Sequence, residues 1–309
     1  MLCQSNEELQ KLVDEAREYA KKGKVADYIP ALAKNNPDEL SVAIQYPDGR
    51  CISAGDIHEK ITLQSISKII SLALVLIDHG EDAVFRKVGM EPTGDPFNSI
   101  AKLETMSEVK PLNPMINAGA LAVTHLIKGN TTEDRFNRLL AFSKMISGNS
   151  NIGYSEEVAE SEMQTSHLNR SLCYFLKQHN IIDEDVEELM SLYTKQCAIE
   201  MTCFDLAKAG LVFALDGKDP ETKEQIIPVD VSRICKTFMV TCGMYNEAGE
   251  FAIKIGIPAK SGVSGGILGA VPGKYGIGIS GPSLNEKGNS IAGLKLLELL
   301  SKKYSLSIF

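Results

Sequence analysis

The sequence has little of what marks membrane, exported or nucleic-acid-binding proteins. Its longest apolar stretch, residues 69–77, is interrupted by Ser71 and is far shorter than the roughly 20 residues of a spanning helix. The first residues are polar and acidic rather than cationic and then apolar, so we expect no secretory signal. There is no Lys/Arg-rich tract, and 32 basic against 40 acidic residues give a formal charge of −8. This balance argues against a nucleic-acid or membrane-surface partner.

Cysteine and histidine lack the spacings of a disulfide framework or a metal site. The seven cysteines are odd in number and include no Cys-x-x-Cys pair, and the five histidines include no His-x-x-x-His pair. We therefore expect reduced thiols that pack in the interior of a cytoplasmic protein. We expect no metal ligand and no catalytic histidine.

What is present is an ordinary globular composition: 309 residues, 44% of them apolar and 23% charged. This length is enough for one large domain or two modest ones. The spacing of apolar residues predicts an N-terminal helix ending near Gly23, a hairpin of residues 40–46 and 50–54, and a buried helix over 65–79. Residues 81–230 are mostly helical in pattern. After Pro228 we predict strands at 238–242, 251–255, 265–271 and 275–280, then a helix over 291–302.

These elements predict an α+β fold. An N-terminal hairpin and C-terminal strands would share one antiparallel sheet, with a helical region inserted between them. We expect a single domain over 1–309, with a sheet lobe at about 24–64 and 231–309 and a helical lobe at about 65–230.

The strongest chemical signal is the Ser-x-x-Lys motif formed by Ser65 and Lys68. Residues three apart lie on one face of a helix, with Cβ atoms about 5–6 Å apart, so a neutral Lys68 could act as the base for the Ser65 hydroxyl. Burial, the helix dipole and a second cation would each lower the pKa of Lys68. Lys260 is a candidate for that cation.

Taken alone, Ser-x-x-Lys is more often a chance match, with the serine as a helix cap and the lysine in solvent. Two features favour function here: the helix is apolar on nearly every side, and the triplet 260–262 reads Lys-Ser-Gly. The two motifs occur in this order in penicillin-recognising serine enzymes. The Ser-Asp-Asn motif of those enzymes is absent from this chain.

Seven segments carry a more specific family resemblance than the two motifs alone. They are GKVADYIP (23–30), LQSISK (63–68), EPTG (91–94), FNS (97–99), NPMINAGA (113–120), GMY (243–245) and KSGVSGG (260–266). With these motifs, spread in order over about 280 residues, the chain resembles the serine-dependent glutaminase family in its compact bacterial form. Members of that family share the serine β-lactamase and transpeptidase fold.

The resemblance implies hydrolysis of L-glutamine to L-glutamate and ammonia without a metal or organic cofactor. Ser65 would attack the side-chain amide carbon, and Lys68 would take the Ser65 proton and pass it to the departing ammonia. Water would then hydrolyse the resulting ester. The backbone amides of Ser65 and Val263 would bind the oxyanion. The resemblance also implies a homodimer or homotetramer.

The remaining implied site residues bind the substrate or lie near the reacting groups. Asn117, Glu162, Asn169 and Tyr193 would hold the ammonium and carboxylate of glutamine, while Tyr245 and Tyr28 would relay protons or hold the water. Without the resemblance, each of these would be read as a turn amide, a solvated acid or an aromatic at the edge of the core.

Two other functions remain open at this point. A β-lactamase or peptidase of the same fold is disfavoured by the missing Ser-Asp-Asn motif and the missing export signal. A non-catalytic amino-acid-binding protein has no physical need for the set of Ser65, Lys68 and Lys260.

Overall fold

Segments from both ends of the chain build one five-stranded antiparallel sheet in the computed structural model, which describes residues 5–93 and 110–309. The strand order is β2-β1-β7-β6-β5, and a separate two-stranded ribbon pairs β3 with β4. The strands are β1 Ser41–Gln45, β2 Cys51–Gly55, β3 Ile61–Thr62, β4 Glu200–Met201, β5 Ala259–Ser261, β6 Gly266–Val271 and β7 Tyr275–Ser280. Cys3, Gly94 and the FNS motif at 97–99 lie outside the described residues.

The helices precede, follow and separate these strands. They are α1 Asn6–Arg17, α2 Ser67–His79, α3 Glu81–Lys87, α4 Asn117–His125, α5 Thr132–Ser147, α6 Glu156–Thr165, α7 His167–Gln178, α8 Val186–Cys197, α9 Cys203–Ala214, α10 Val229–Cys242, α11 Ala248–Lys254 and α12 Ile291–Tyr304. Short 3₁₀ turns lie at Ala20–Lys22, Leu32–Lys34, Gln64–Ile66 and Tyr245–Glu247. No helix within the described ranges is both long enough and apolar enough to cross a membrane.

The alternation of glycine and isoleucine in β7 explains how helices cover both faces of the sheet. Ile277 and Ile279 point into a core shared with α1 and α12. On the opposite face, a Cβ at Gly276 would lie 1.9 Å from the carbonyl oxygen of Ala207 in α9. The helix backbone therefore packs directly on the glycine side of the strand, where a methyl group has no room.

The second core is helical and surrounds α2. This helix is buried from Ser67 to Leu76, as its nearly continuous apolar sequence predicts. It packs against α4, α5 and α10, so the segment that follows Ser65 is held on several sides.

Several predicted elements are confirmed: the β1–β2 hairpin, the buried helix, strands β6 and β7, and the closing helix. The α+β fold is confirmed as well. The N-terminal helix ends at Arg17, earlier than predicted, and continues only as the turn Ala20–Lys22. The division into two lobes stays a prediction.

Two predicted strands are wrong. Residues 238–242 form the end of α10, and residues 251–255 lie in and just beyond α11. Short runs of aromatic and β-branched residues suggested strands, but apolar residues three and four apart set the structure of α10. Its buried residues include Val231, Ile234, Cys235, Phe238 and Met239, which join the core around α2.

Candidate active site

Ser65 lies in a strained turn between β3 and α2. The preceding residue, Gln64, has a φ of +47°, in the left-handed region that a non-glycine residue rarely adopts. The turn is held by the Leu63 amide, which donates to the Ile199 carbonyl oxygen at 2.7 Å, and by the Ser67 hydroxyl, which donates to the Gln64 carbonyl oxygen at 2.7 Å. Ser65 is buried but reaches the wall of a cavity.

Lys68 lies one helical turn further along and is almost completely buried. Its Nζ donates to Asn117 Oδ1 at 2.6 Å and to the Met115 carbonyl oxygen at 3.1 Å. Burial lowers the pKa of this amine to about 8, against an opposing effect of the Glu162 charge. A substantial neutral fraction is therefore present near physiological pH.

Lys260 is the second buried amine, and it lies behind Tyr245. Its Nζ is 4.6 Å from the centre of the Tyr245 ring and donates to the carbonyl oxygens of Ser261, at 2.6 Å, and Gly243, at 3.1 Å. Burial first, and then the Lys68 charge, hold the pKa of Lys260 well below its usual value. The Lys68 charge thus lowers the pKa of Lys260, whereas the low pKa of Lys68 comes from burial and not from a Lys260 cation.

Tyr245 lies close to both Lys260 and Ser65. Its main chain also has a positive φ, +50°, in the turn that follows α10. Burial raises the pKa of the phenol, while hydrogen bonding with Ser65 and Ser261 acts in the opposite direction. Tyr245 is therefore a protonated phenol near the Ser65 hydroxyl at neutral pH.

The cavity beside Ser65 has a volume of about 340 Å³, enough for a small amino acid. Its lining residues come from six parts of the chain: Tyr28, Ile29, Gln64, Ser65, Asn117, Glu162, Thr165, Ser166, Leu168, Asn169, Tyr193, Cys197 and Val263. The fold thus brings seven of the site residues named from the sequence to one cavity, with Tyr28 more than half exposed. Lys68, Lys260 and Tyr245 lie behind its wall.

Polar side chains in the cavity wall form hydrogen bonds that reach from the cavity to Lys68. Asn117 accepts from Lys68 and donates through Nδ2 to Asn169 Oδ1 at 2.9 Å. Glu162 is buried, and burial raises the pKa of its carboxyl to about 7, although the Gln64 hydrogen bond at 3.4 Å and the Lys68 charge favour the ionised form. Burial also raises the pKa of the Tyr193 phenol. The cavity therefore offers one acid and several neutral donors.

A model of one protein family, Glutaminase, matches residues 23–309 of this chain. The chain belongs to the glutaminase family. It is 72% identical over 305 residues to a glutaminase of Geobacillus thermodenitrificans, with 99% of each chain covered.

Solved glutaminases share the fold of this family member. A probable glutaminase from Bacillus subtilis in complex with 6-diazo-5-oxo-L-norleucine has 40% identity and a TM-score of 0.91, covering 100% of this chain and 99% of the other. A Bacillus subtilis glutaminase in covalent complex with 5-oxo-L-norleucine, formed by reaction with the same compound, has 41% identity and a TM-score of 0.90, covering 98% and 99%. These matches confirm the expected glutamine-hydrolysing enzyme with a serine β-lactamase-like fold.

Six lining residues of this glutaminase were not named from the sequence: Ile29, Gln64, Thr165, Ser166, Leu168 and Cys197. Gln64 directly precedes Ser65. Cys197 lies four residues after Tyr193 on α8, a spacing that places Tyr193 and Cys197 on one helix face. That spacing could have identified Cys197. Burial raises the pKa of its thiol well above the usual value, so it remains a protonated wall residue.

The described part of this glutaminase contains no cluster of three or more His, Cys, Asp or Glu residues able to hold a metal ion. The six cysteines in that part, at 51, 173, 197, 203, 235 and 242, are free thiols.

Proposed function

We propose that this glutaminase hydrolyses L-glutamine through an acyl-enzyme on Ser65, with Lys68 as the base. The observation that carries the proposal is the buried amine of Lys68, whose pKa is lowered to about 8, directly behind a cavity wall that contains Ser65. A serine hydroxyl is a weak nucleophile unless an adjacent base takes its proton, and a neutral amine can do so. The covalent adduct in the Bacillus subtilis structure supports a nucleophile in this family site.

The proposed reaction balances without a cofactor. Lys68 Nζ takes the Ser65 proton as Oγ attacks the side-chain amide carbon, and the same proton then passes to the amide nitrogen as the C–N bond breaks and ammonia leaves. Water next attacks the γ-glutamyl ester, and its proton returns to Ser65 Oγ as the ester bond breaks. Lys68 or Tyr245 serves as the base in that second half.

Backbone amides would stabilise the negative charge of each tetrahedral intermediate. Ser65 contributes one amide from the turn that leads into α2. Val263 contributes the second from the loop between β5 and β6, where it lines the same cavity. Donors fixed in advance cost no reorganisation during the reaction.

The substrate's charged groups would bind deeper in the cavity. Glu162 is suited to the ammonium, because it is the only acid among the lining residues, and a bound cation would favour its ionised form. Asn117, Asn169 and Tyr193 can donate to the carboxylate. Tyr28, at the exposed edge, would relay protons or hold the water, and Lys260 would keep the Tyr245 phenol in place.

Ammonia release from L-glutamine by the purified protein tests this proposal. Ser65→Ala and Lys68→Ala should be nearly silent, with a loss of at least about 10³-fold in kcat, because removing the nucleophile or its base leaves only binding and the oxyanion site. Robust glutamine turnover by Ser65→Ala would show that Ser65 is not the nucleophile.

Two assays address the other functions left open by the sequence. Turnover of a chromogenic cephalosporin without glutamine hydrolysis would favour a β-lactamase. Calorimetric binding of glutamine without ammonia release over hours would favour a non-catalytic binding protein.

Two finer expectations belong to the same proposal. The free thiols support a reducing, cytoplasmic location. The family resemblance supports a homodimer or homotetramer, which sedimentation at several protein concentrations would distinguish.

A further inference from the structure

A fully buried amide lies beside α2 and outside the lining of the cavity. Gln196, on α8, donates through Nε2 to Ser67 Oγ at 3.2 Å and to Ser71 Oγ at 3.3 Å. Its Oε1 accepts from Thr124 Oγ1, on α4, at 3.1 Å. All four side chains are buried, so one amide joins three helices in a region without access to water.

Both serine hydroxyls in turn donate hydrogen bonds to main-chain carbonyl groups at or next to the proposed catalytic residues. The Ser67 hydroxyl donates to the Gln64 carbonyl oxygen at 2.7 Å, and the Ser71 hydroxyl donates to the Lys68 carbonyl oxygen at 3.2 Å. A hydroxyl has one proton, and each of these protons is used for a carbonyl. The serine oxygens can then only accept, which fixes the Gln196 amide with its nitrogen toward α2 and its oxygen toward Thr124.

The contact to Gln64 is made where the backbone is strained. A non-glycine residue at a φ of +47° is strained and persists only where its surroundings hold it. The Ser67 hydroxyl is one such restraint, since its acceptor is the carbonyl of the strained residue itself. That carbonyl and the Ser65 amide belong to the same peptide unit, so rotating the carbonyl moves the Ser65 amide with it.

We propose that Gln196 is a positioning residue for Ser65, acting through Ser67 on the strained Gln64–Ser65 peptide. The proposal rests on the proposed function, because it takes Ser65 as the nucleophile and its amide as an oxyanion donor. Gln196 does not line the cavity described above, so it acts on Ser65 only through other residues. Its effect is to keep the hydroxyl and the amide of Ser65 aligned with the amide carbon under attack.

A positioning role and a merely structural role predict different kinetics. Loss of alignment lowers kcat and leaves the substrate-binding residues in place, so KM changes little. Loss of stability alone lowers the melting temperature and leaves kcat unchanged for the molecules that remain folded.

The main test removes the Ser67 hydroxyl, because Ser67→Ala adds no atoms and leaves the fold intact. We expect kcat for glutamine to fall by about 10- to 100-fold, with KM within about twofold, as for a small misplacement of reacting groups. Ser71→Ala should lower kcat less, because its acceptor lies in a regular helix. Gln196→Met, which has similar length and no polar atoms, should lower kcat as Ser67→Ala does.

The chain offers a matched control in α5. The Ser143 hydroxyl is also fully buried and donates to a helix carbonyl, that of Leu139, at 2.9 Å. Ser143→Ala should lose a similar amount of thermal stability and keep the kcat of the unchanged protein. If Ser67→Ala retains kcat within about twofold, or if Ser143→Ala loses as much, the positioning role is wrong.

A second readout separates this proposal from the proposed function. The rate of covalent labelling by 6-diazo-5-oxo-L-norleucine, located on Ser65 by mass spectrometry, reports alignment of the nucleophile without turnover. If the unchanged protein releases no ammonia but is labelled, the proposed function fails, and a labelling rate about tenfold lower in Ser67→Ala than in Ser143→Ala still supports positioning. Equal labelling rates in the two variants, or no labelling at Ser65 in the unchanged protein, overturn it.

Discussion

Glu162→Gln should make the protein more stable at alkaline pH while impairing substrate binding. Burial raises the pKa of the Glu162 carboxyl from 4.5 to about 7 in the folded state. Between these values the folded protein binds a proton that the unfolded chain has released, so this group's contribution to stability falls as the pH rises. Above pH 7 the folded protein carries a buried charge, and the difference in pKa corresponds to about 3 kcal/mol.

The neutral amide of the variant removes this cost. We expect its free energy of unfolding to exceed that of the unchanged protein by about 3 kcal/mol at pH 8 and by less than about 1 kcal/mol at pH 5. Urea titrations at both pH values measure the two differences, and equal slopes would show that the same surface is exposed. The KM for glutamine should rise, because the proposed partner of the substrate ammonium is lost.

Glu184→Gln provides a control, because its expected change in the free energy of unfolding has the opposite sign. This carboxylate accepts from Arg135 Nη2 at 3.1 Å and from His125 Nδ1 at 2.6 Å, and these partners hold its pKa below the usual value. Glu184→Gln leaves Arg135 buried beside an uncharged group and should destabilise the protein by about 3 kcal/mol at pH 8. A Glu162→Gln variant that is less stable at pH 8, or whose gain is the same at pH 5, would refute the reasoning.

Two further predictions concern the base and the sheet. kcat/KM for glutamine should rise about tenfold from pH 7 to 8 and no more than about twofold from 8 to 9, because Lys68, with a pKa of about 8, must be neutral and Glu162, with a pKa of about 7, must be ionised. A flat or falling profile would exclude Lys68 as the base. Gly276→Ala should destabilise the protein by about 3 kcal/mol or more in urea titrations, since the new methyl would lie 1.9 Å from the Ala207 carbonyl oxygen. Gly249→Ala in α11, where a Cβ meets nothing within 4 Å, should be neutral or slightly stabilising. A similar effect of both substitutions would contradict the close approach of β7 to α9.

Local sequence patterns were sufficient to predict those elements whose signal lies within a few consecutive residues. The turn residues at 47–49 gave the β1–β2 hairpin, and the apolar run after Ser65 gave the buried α2. The three-residue spacing placed Lys68 one turn from Ser65. Four of the motifs supplied lining residues named from the sequence, Tyr28, Ser65, Asn117 and Val263, each on its own segment of the chain.

Features that depend on distant contacts were not predictable in this way. The strained φ of Gln64 is maintained by contacts with Ser67 and Ile199, and the hydrogen bond from Gln196 reaches Ser67 across 129 positions of sequence. The helix α10 was mistaken for a strand because its C-terminal residues favour strands locally, whereas packing against α2 favours a helix. Tertiary contacts overrode local propensity in that case.

The strand order constrains how this chain can fold while it is being synthesised. β1 lies between β2 and β7, so one edge of the N-terminal hairpin stays unpaired until residues 275–280 have left the ribosome. Such long-range pairing is slow and leaves an open strand edge on the nascent chain. The N-terminal hairpin therefore stays exposed to incorrect pairing until nearly the whole chain has been synthesised.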